Sequence, residues 1–472
     1  MVYIILLAYI ALVFIGSLMG SKQVNTTPEG YFLANRNLTT LTLFFTILAT
    51  NFSAFYFLGF AGEGYRTGYA YYTVMAFGTA FACLSFFLIG TKIWKLGKEN
   101  GYITPSELIY GKTKSNTLRL LFSGIMLLFT FPYLALQIVG AGYILESITG
   151  GDISYFWGAF ILTLFTIIYV FLGGMQSVAK TDLKQGLLAI VLMFSAVVVV
   201  SKDLGGLTAA NLQVFEQSPE LFNREGMGGI YTPQKWFSWL IFWVFCIPMF
   251  PQIFMRFYIA KDLSHLKKSA FLYALAPLII SIFPVIIGVL GHISYPDLVG
   301  KEADQILPMM LINHSSEWFA ALIMTGALAA FMSTLDSQLL ALSTITTRDF
   351  YMSFVKEEPE LKEQVKIGRI WVVVFALIGL AIAANPFDTI FDMGKLAFSG
   401  LSVLFPVTLA TVRWGGTDNR FAIASIVIGE LLLIGFFYGW LPSELALGFE
   451  PFILVLAVCF AIVGLGKLVQ KE

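Results

Sequence analysis

Apolar stretches of roughly 20 residues recur along the whole sequence, separated by short polar segments. A helix of about 20 residues crosses the roughly 30 Å hydrocarbon layer of a bilayer, so each stretch predicts a transmembrane helix. We predict about thirteen spans. They cover residues 3–20, 41–61, 69–92, 117–146, 154–172, 182–200, 235–256, 268–293, 316–346, 368–384, 388–412, 420–440 and 449–466. An all-α integral membrane protein is therefore expected.

Composition agrees with this class and excludes several others. Only 12% of the residues are charged, against about 25% in soluble proteins. The formal net charge of zero, without a basic face, argues against nucleic-acid binding. The cysteines and histidines stand apart, at spacings that fit neither disulfides nor a metal site. They are Cys83, Cys246, Cys459, His265, His292 and His314. Because no nucleophile lies near a base at workable spacing, we do not expect an enzyme. Nor is an obligate protein partner evident.

The basic residues predict the orientation, because they accumulate on the cytoplasmic side of a membrane. Assigning successive connections to alternate sides leaves few basic residues on one side. These are Arg66, Lys202, Arg224, Lys235, Lys301 and Lys395. The N-terminus is therefore expected outside and the C-terminus inside, which requires an odd number of helices. We interpret the first span as a retained helix rather than a signal peptide, and we expect a multi-pass protein of the cell (plasma) membrane.

The second predicted span carries polar residues at its centre. Thr50, Asn51 and Ser53 interrupt a segment that is otherwise rich in leucine and phenylalanine. Such side chains compete for backbone hydrogen bonds and favour a local break. A break would free carbonyl oxygens, which are natural ligands for a hard cation such as sodium. The alternative is that these small residues only let two helices pack closely.

The ninth span carries a second polar cluster. Ser333 and Ser337 are four residues apart and share a helical face, with Ala330 one turn before them. An aspartate within an apolar span, here Asp336, is by default a candidate functional residue. The alternative places Asp336 near the cytoplasmic end, where it could reach water or pair with Lys180 or Lys184.

Prolines suggest a second broken helix. Pro248 and Pro251 interrupt the seventh span, and each removes a backbone donor. The fourth span adds Pro132, close to Tyr133 and Gln137. Discontinuous helices in two halves of a chain indicate the midplane site of a secondary transporter.

At these residues the chain resembles the sodium/solute symporter family, which includes sodium/proline, sodium/pantothenate and sodium/glucose cotransporters. The resemblance rests on the run Ala329-Ala330-Phe331-Met332-Ser333-Thr334-Leu335-Asp336-Ser337-Gln338-Leu339-Leu340 followed by Asp349 and Tyr351, on Tyr31-Phe32-Leu33-Ala34 with Arg36, on Gly173-Gly174-Met175 with Thr181-Asp182, on Arg256-Phe257, and on Pro406, Arg413-Trp414 and Thr417. It is closest to the proline-transporter branch and covers nearly all of the chain.

The resemblance implies a LeuT-type fold in a single transmembrane transporter domain over residues 1–472. A leading helix at 3–20 would precede two inverted five-helix repeats, at about 41–200 and 235–412, and two trailing helices at about 420–466. This arrangement has thirteen helices, in agreement with the span count.

The resemblance also implies the ion sites. A sodium ion would be held by the carbonyls of Ala49, Phe52 and Ala330 and by the hydroxyls of Ser333 and Thr334. Some family members hold a second sodium ion. Its matching positions here are Ser333, Asp336, Ser337 and Asp182, where Asp336 replaces a serine. That replacement leaves open a second sodium ion, a proton-binding group or a salt bridge.

The implied solute pocket lies between the broken helices. Its matching residues are Asn51, Ser53, Tyr56, Tyr133, Gln137 and Trp243. The proline branch usually has an aspartate in place of Asn51, and sugar transporters have a glutamine in place of Tyr56. We therefore expect sodium-coupled uptake of an amino acid or a monocarboxylate such as proline or pantothenate. A proton-coupled symporter of the same fold is the alternative, followed by a transporter-like solute sensor.

Overall fold

The protein folds into packed helices, which confirms the predicted all-α class. A computed structural model describes residues 2–21, 27–172, 175–357 and 359–470. Across these ranges no β-strand forms, and one isolated backbone bridge joins Leu38 to Ala260.

Most of the helices are long and apolar. In chain order they are α1 (Val2–Ser21), α2 (Thr40–Asn51), α3 (Phe55–Thr67), α4 (Ala70–Asn100), α5 (Asn116–Ile148), α6 (Tyr155–Leu172), α7 (Met175–Asp203), α8 (Pro233–Met249), α9 (Pro251–Ile259), α10 (Leu263–Ile293), α11 (Glu317–Phe354), α12 (Leu361–Ala384), α13 (Ile390–Arg413), α14 (Asn419–Phe437) and α15 (Pro451–Val469). Shorter helices lie in the connections, at Pro28–Leu33, Pro105–Thr113, Leu207–Gln217 and Ile306–His314.

The helices lie where the apolar spans were predicted. In the part of the chain that the structure describes, 9 continuous helices are long and apolar enough to cross a membrane. Two further pairs, α2 with α3 and α8 with α9, qualify together but are bent by 64° and 65°. Shorter apolar helices occupy Val2–Leu12 and Tyr155–Phe171. The total of thirteen spans and the orientation of the termini stay predictions.

Two helices extend further than the apolar pattern indicates. The spans were expected to end near residues 92 and 346, but α4 runs to Asn100 and α11 to Phe354. Hydropathy measures the length of chain that lies in hydrocarbon, whereas a helix continues until its backbone is interrupted. For α4 the interruption is Gly101, where the backbone turns into the left-handed region (φ 73°).

Helix burial distinguishes the centre of the bundle from its edge. In α11 and α13, 83% of the most apolar window is buried, against 39% in α14 and 33% in α15. The helix α11 packs against α2, α5, α7 and α12. The polar cluster of the ninth span therefore lies in the interior, where every hydrogen-bonding group needs a protein partner or a ligand.

An ionic cluster joins α3 to α13 on the side that is predicted to be outside. Arg66, near the end of α3, contacts Glu63 at 2.6 Å and Asp304 at 2.9 Å. The other carboxylate oxygen of Asp304 accepts a hydrogen bond from the backbone N–H of Ile390, the first residue of α13 (2.7 Å). Asp304 thereby links α3 to α13.

Candidate functional site

The predicted break in the second span is confirmed. The helix α2 ends at Asn51, and at Phe52 the backbone leaves the helical region (φ −81°, ψ 83°). The freed N–H of Ala54 donates to Oε1 of Gln137 on α5 at 2.8 Å. A backbone donor of the break is therefore satisfied by a side chain from another helix, as a buried break in a membrane requires.

The second break lies between α8 and α9. Phe250 has an extended backbone (φ −60°, ψ 124°), and Pro251 begins the next helix without an N–H to donate. Gln252 follows in the first turn of α9. It is fully buried, and neither atom of its side-chain amide has a hydrogen-bond partner within the described residues. The sequence analysis missed this residue, although a glutamine next to a helix-breaking proline in an apolar span was a visible signal.

Residues predicted to bind the first sodium ion meet where α2 packs against α11. The hydroxyl of Thr334 lies 3.3 Å from the carbonyl oxygen of Ala49 on α2 and 3.3 Å from that of Ala330 on its own helix. Thr334 and Ala49 are fully buried, and Phe52 is buried beside them at the break. Oxygens from both helices thus converge in a region closed to solvent, as a site for a small cation requires.

Ser333 has a different partner. Its hydroxyl donates to Oδ1 of Asp182 on α7 at 2.6 Å. Oδ2 of Asp182 accepts from Thr46 at 2.5 Å and lies 3.5 Å from the guanidinium of Arg256. The same guanidinium donates to Ser337 at 2.7 Å. Two of the residues predicted for a second cation, Asp182 and Ser337, are therefore bound to an arginine.

Asp336 is not part of these hydrogen bonds. The residue is fully buried, so the alternative in which it reaches water is wrong. Neither carboxylate oxygen accepts a hydrogen bond from a residue that the structure describes.

Gly173 and Gly174, which carry part of the family resemblance, lie outside the described residues.

Three predicted solute contacts have protein partners of their own. The Asn51 amide donates to the hydroxyl of Tyr273 at 2.6 Å, and the hydroxyl of Tyr56 is hydrogen-bonded to Ser281. Gln137 caps Ala54 and donates from Nε2 to the carbonyl of Tyr133 on its own helix at 3.0 Å. The bonds of Gln137 therefore support the backbone at the break, whereas those of Asn51 and Tyr56 join α2 and α3 to side chains of α10.

Aromatic rings cluster between the two breaks. The ring of Phe398 on α13 lies 4.7 Å from that of Tyr133, 4.9 Å from Phe250, 5.0 Å from Phe55 and 5.7 Å from Trp243. The hydroxyl of Ser53 and the indole N–H of Trp243 are buried in this region, with no partner among the described residues. The sequence analysis missed Phe55, Phe250 and Phe398, because no pattern separates them from the other phenylalanines, 45 in all.

Comparison with known families and proteins gives a consistent result. The model of the sodium:solute symporter family matches residues 31–429. The chain is 27% identical to the sodium/pantothenate symporter of Haemophilus influenzae over 404 residues, which cover 84% of this chain and 82% of that protein. It is 28% identical to the sodium/proline symporter of Escherichia coli over 428 residues, which cover 88% and 83%.

Solved structures confirm the LeuT-type fold. A sodium-coupled sialic acid symporter, solved in a substrate-bound outward-open state, superposes with a TM-score of 0.81 at 17% identity and covers 100% of this chain and 97% of that one. MhsT in complex with L-phenylalanine superposes with a TM-score of 0.58 at 16% identity, covering 90% and 99%. At these identities the likeness establishes the fold alone.

Proposed function

The chain belongs to the sodium:solute symporter family, and from that membership we propose that it moves a small organic solute into the cell together with sodium, by alternating access. Sodium is the coupling ion, and the protein is a multi-pass membrane transporter rather than an enzyme. The observation that carries the proposal is the meeting of Thr334 with the carbonyl of Ala49 at the break of α2.

We assign sodium to the carbonyls of Ala49, Phe52 and Ala330 and the hydroxyls of Ser333 and Thr334. The residues fit a monovalent ion, because their oxygens are neutral and buried, and neutral ligands hold an ion weakly enough to release it. The hydroxyl of Thr334 has only long contacts to carbonyls, at 3.3 Å, so it is available as a ligand.

We place the solute between the breaks, against the aromatic rings around Phe398. Tyr133 and Trp243 would supply walls, and Ser53 would supply a hydroxyl that has no hydrogen-bond partner among the described residues. A pocket of aromatic walls with few polar groups favours a small, partly apolar solute. An amino acid or a monocarboxylate such as proline or pantothenate fits, and symporters of proline and pantothenate are among the relatives.

Coupling follows from the position of both sites on one break. Sodium bound to α2 and α11 would order the segment from Phe52 to Ala54 that also carries Ser53, so each ligand stabilises the arrangement that the other needs. Couplings of this kind are typically about 1–3 kcal/mol. Inward movement of one charge across 100 mV adds about 2.3 kcal/mol of driving force.

The test is uptake by purified protein in proteoliposomes. A thermal-shift screen of amino acids and carboxylates, with and without sodium, first identifies the solute, because a ligand stabilises the protein that binds it. Uptake of that solute is then driven by a sodium gradient alone and by a proton gradient alone. Uptake with the proton gradient alone, and no sodium stimulation, would reject the proposal.

The ion site is tested by Thr334→Ala, with Thr334→Ser as the conservative variant. Losing a contact to a charged partner costs about 1.5–3 kcal/mol, so Thr334→Ala should raise the sodium concentration for half-maximal uptake by at least about tenfold. Thr334→Ser should stay close to wild type. Thr325→Ala is the matched control, because Thr325 is a buried threonine of α11 whose one hydrogen bond within the described part of the chain goes to the carbonyl of Ala321 (2.7 Å). Equal sodium dependence in all variants would contradict the assigned site.

A further inference from the structure

Three buried ionisable side chains come together near the first break, and they differ in how many hydrogen bonds they make. Arg256, Asp182 and Asp336 are each fully buried, on α9, α7 and α11. Arg256 and Asp182 are bound to each other and to surrounding hydroxyls, whereas Asp336 has no hydrogen bond within the described residues. The cluster therefore contains one fixed cation and two acids.

The guanidinium of Arg256 is held by oxygens from three other helices. It donates to Ser337 at 2.7 Å, to Thr50 at 3.2 Å and to Thr46 at 3.3 Å, and lies 3.5 Å from Asp182. A guanidinium is always charged and presents five donors in a rigid plane. These contacts satisfy hydroxyl and carboxylate oxygens in the way that a bound metal ion would.

The oxygens that bind Arg256 include those that the family resemblance assigned to a second sodium ion. Of the four residues assigned to that ion, Asp182 and Ser337 are bound by the guanidinium and Ser333 donates a hydrogen bond to Asp182. The fourth, Asp336, has no hydrogen bond within the described residues. A second sodium ion at these oxygens would share ligands with a fixed positive charge, and adjacent like charges in a buried site disfavour each other. The residues present do not fit a second ion.

We propose that Arg256 is a tethered cation that takes the place of a second sodium ion, so that this transporter binds one sodium ion per cycle. The inference rests on the proposed function and refines its stoichiometry. Arg256 is a positioning residue here: it keeps Asp182 and Ser337 in place beside the ion site without touching the solute.

The charge of the pair supports the same number. Arg256 and Asp182 lie 3.5 Å apart and balance each other. A sodium ion at their shared oxygens would leave the pair with a net positive charge in a low-dielectric interior, which is unfavourable.

The experiment counts sodium ions on the purified full-length protein. Binding of radioactive sodium ions in detergent should saturate at one ion per chain, with a Hill coefficient close to one. Two ions per chain, or a Hill coefficient approaching two, would overturn the inference while leaving sodium symport intact. No saturable sodium binding would remove the proposed function as well, so the two failures are distinguishable.

Arg256→Gln tests whether the guanidinium stands in for an ion. With the fixed charge removed, we expect a second sodium ion to bind and the count to rise from one to two per chain. Arg119→Gln is the control and should keep one ion. Arg119 is paired with Asp349 at 3.0 Å and contacts none of the proposed ion ligands. A folded Arg256→Gln protein that still binds one ion would overturn the inference. The sodium count on the wild-type protein does not depend on any variant. Two ions per wild-type chain would overturn the inference even if Arg256→Gln yields no folded protein.

Discussion

Replacing Gln137 by leucine should weaken sodium binding, although Gln137 is not among the proposed ion ligands. Its Oε1 accepts the hydrogen bond of the Ala54 N–H at 2.8 Å, at full burial. Leucine has a similar size and no acceptor, so the N–H would remain unpaired at a cost of about 1–3 kcal/mol. That energy corresponds to roughly a 5–150-fold change in equilibrium. The apparent affinity for sodium falls in proportion to the fraction of protein in the conformation that binds the ion. The sodium concentration for half saturation should therefore rise by up to the same factor of roughly 5–150.

The assay is a sodium titration of thermal stability, followed by solute uptake at saturating sodium. Thr130→Val is the matched control. Thr130 is also buried in α5, but the one hydrogen bond that its hydroxyl makes with the described residues goes to the carbonyl of Met126 in its own helix (2.6 Å). The sequence analysis placed Gln137 among the solute contacts, and the same titration separates the two roles. If Gln137→Leu raises the solute KM and leaves both stability and sodium affinity unchanged, the capping argument is refuted.

Further predictions concern the solute pocket and the outer cluster. Ser53→Ala should raise the solute KM several-fold at unchanged stability, because the Ser53 hydroxyl has no partner in the described chain; unchanged KM would remove it from the pocket. Arg66→Gln should lower the melting temperature and make the site more accessible from outside, as it frees α3 from Asp304. Burial raises the pKa of Asp304 and Arg66 opposes that shift, so Arg66→Gln should raise this pKa further. An acid whose pKa is higher in the folded state loses stability as pH rises between its unfolded and folded values. The variant should therefore lose more stability relative to wild type at pH 8 than at pH 5, and an equal loss at both would contradict this assignment.

Local chemistry made part of the site predictable. The break after Asn51 follows from polar residues inside an apolar span, and the break at Phe250 follows from Pro251, because each disturbs the backbone of its own segment. Membrane spans are predictable for the same reason, since apolar length is a property of consecutive residues.

Contacts between distant segments were not predictable in this way. Gln137 caps an N–H that lies 83 positions earlier, and nothing within α5 indicates that its amide faces a break. The partners of Arg256 come from α2, α7 and α11, at separations of up to 210 positions. Such contacts depend on how the helices pack, which hydropathy does not determine.

The position of Arg256 relative to the breaks explains how ion binding reaches both α2 and α9. Arg256 lies on α9, which follows the second break in the chain. It binds Thr46 and Thr50 on α2, which precedes the first break. A backbone link between Leu38 and Ile259 (3.1 Å) ties the same two segments at their far ends. Since α2 and α9 are joined at both levels, an ion that orders the end of α2 also constrains α9. A ligand shifts a conformational equilibrium only through contacts that differ between states. We therefore expect the contacts between this joined pair and α11, among them those of Thr334 and Ser337, to change when sodium binds.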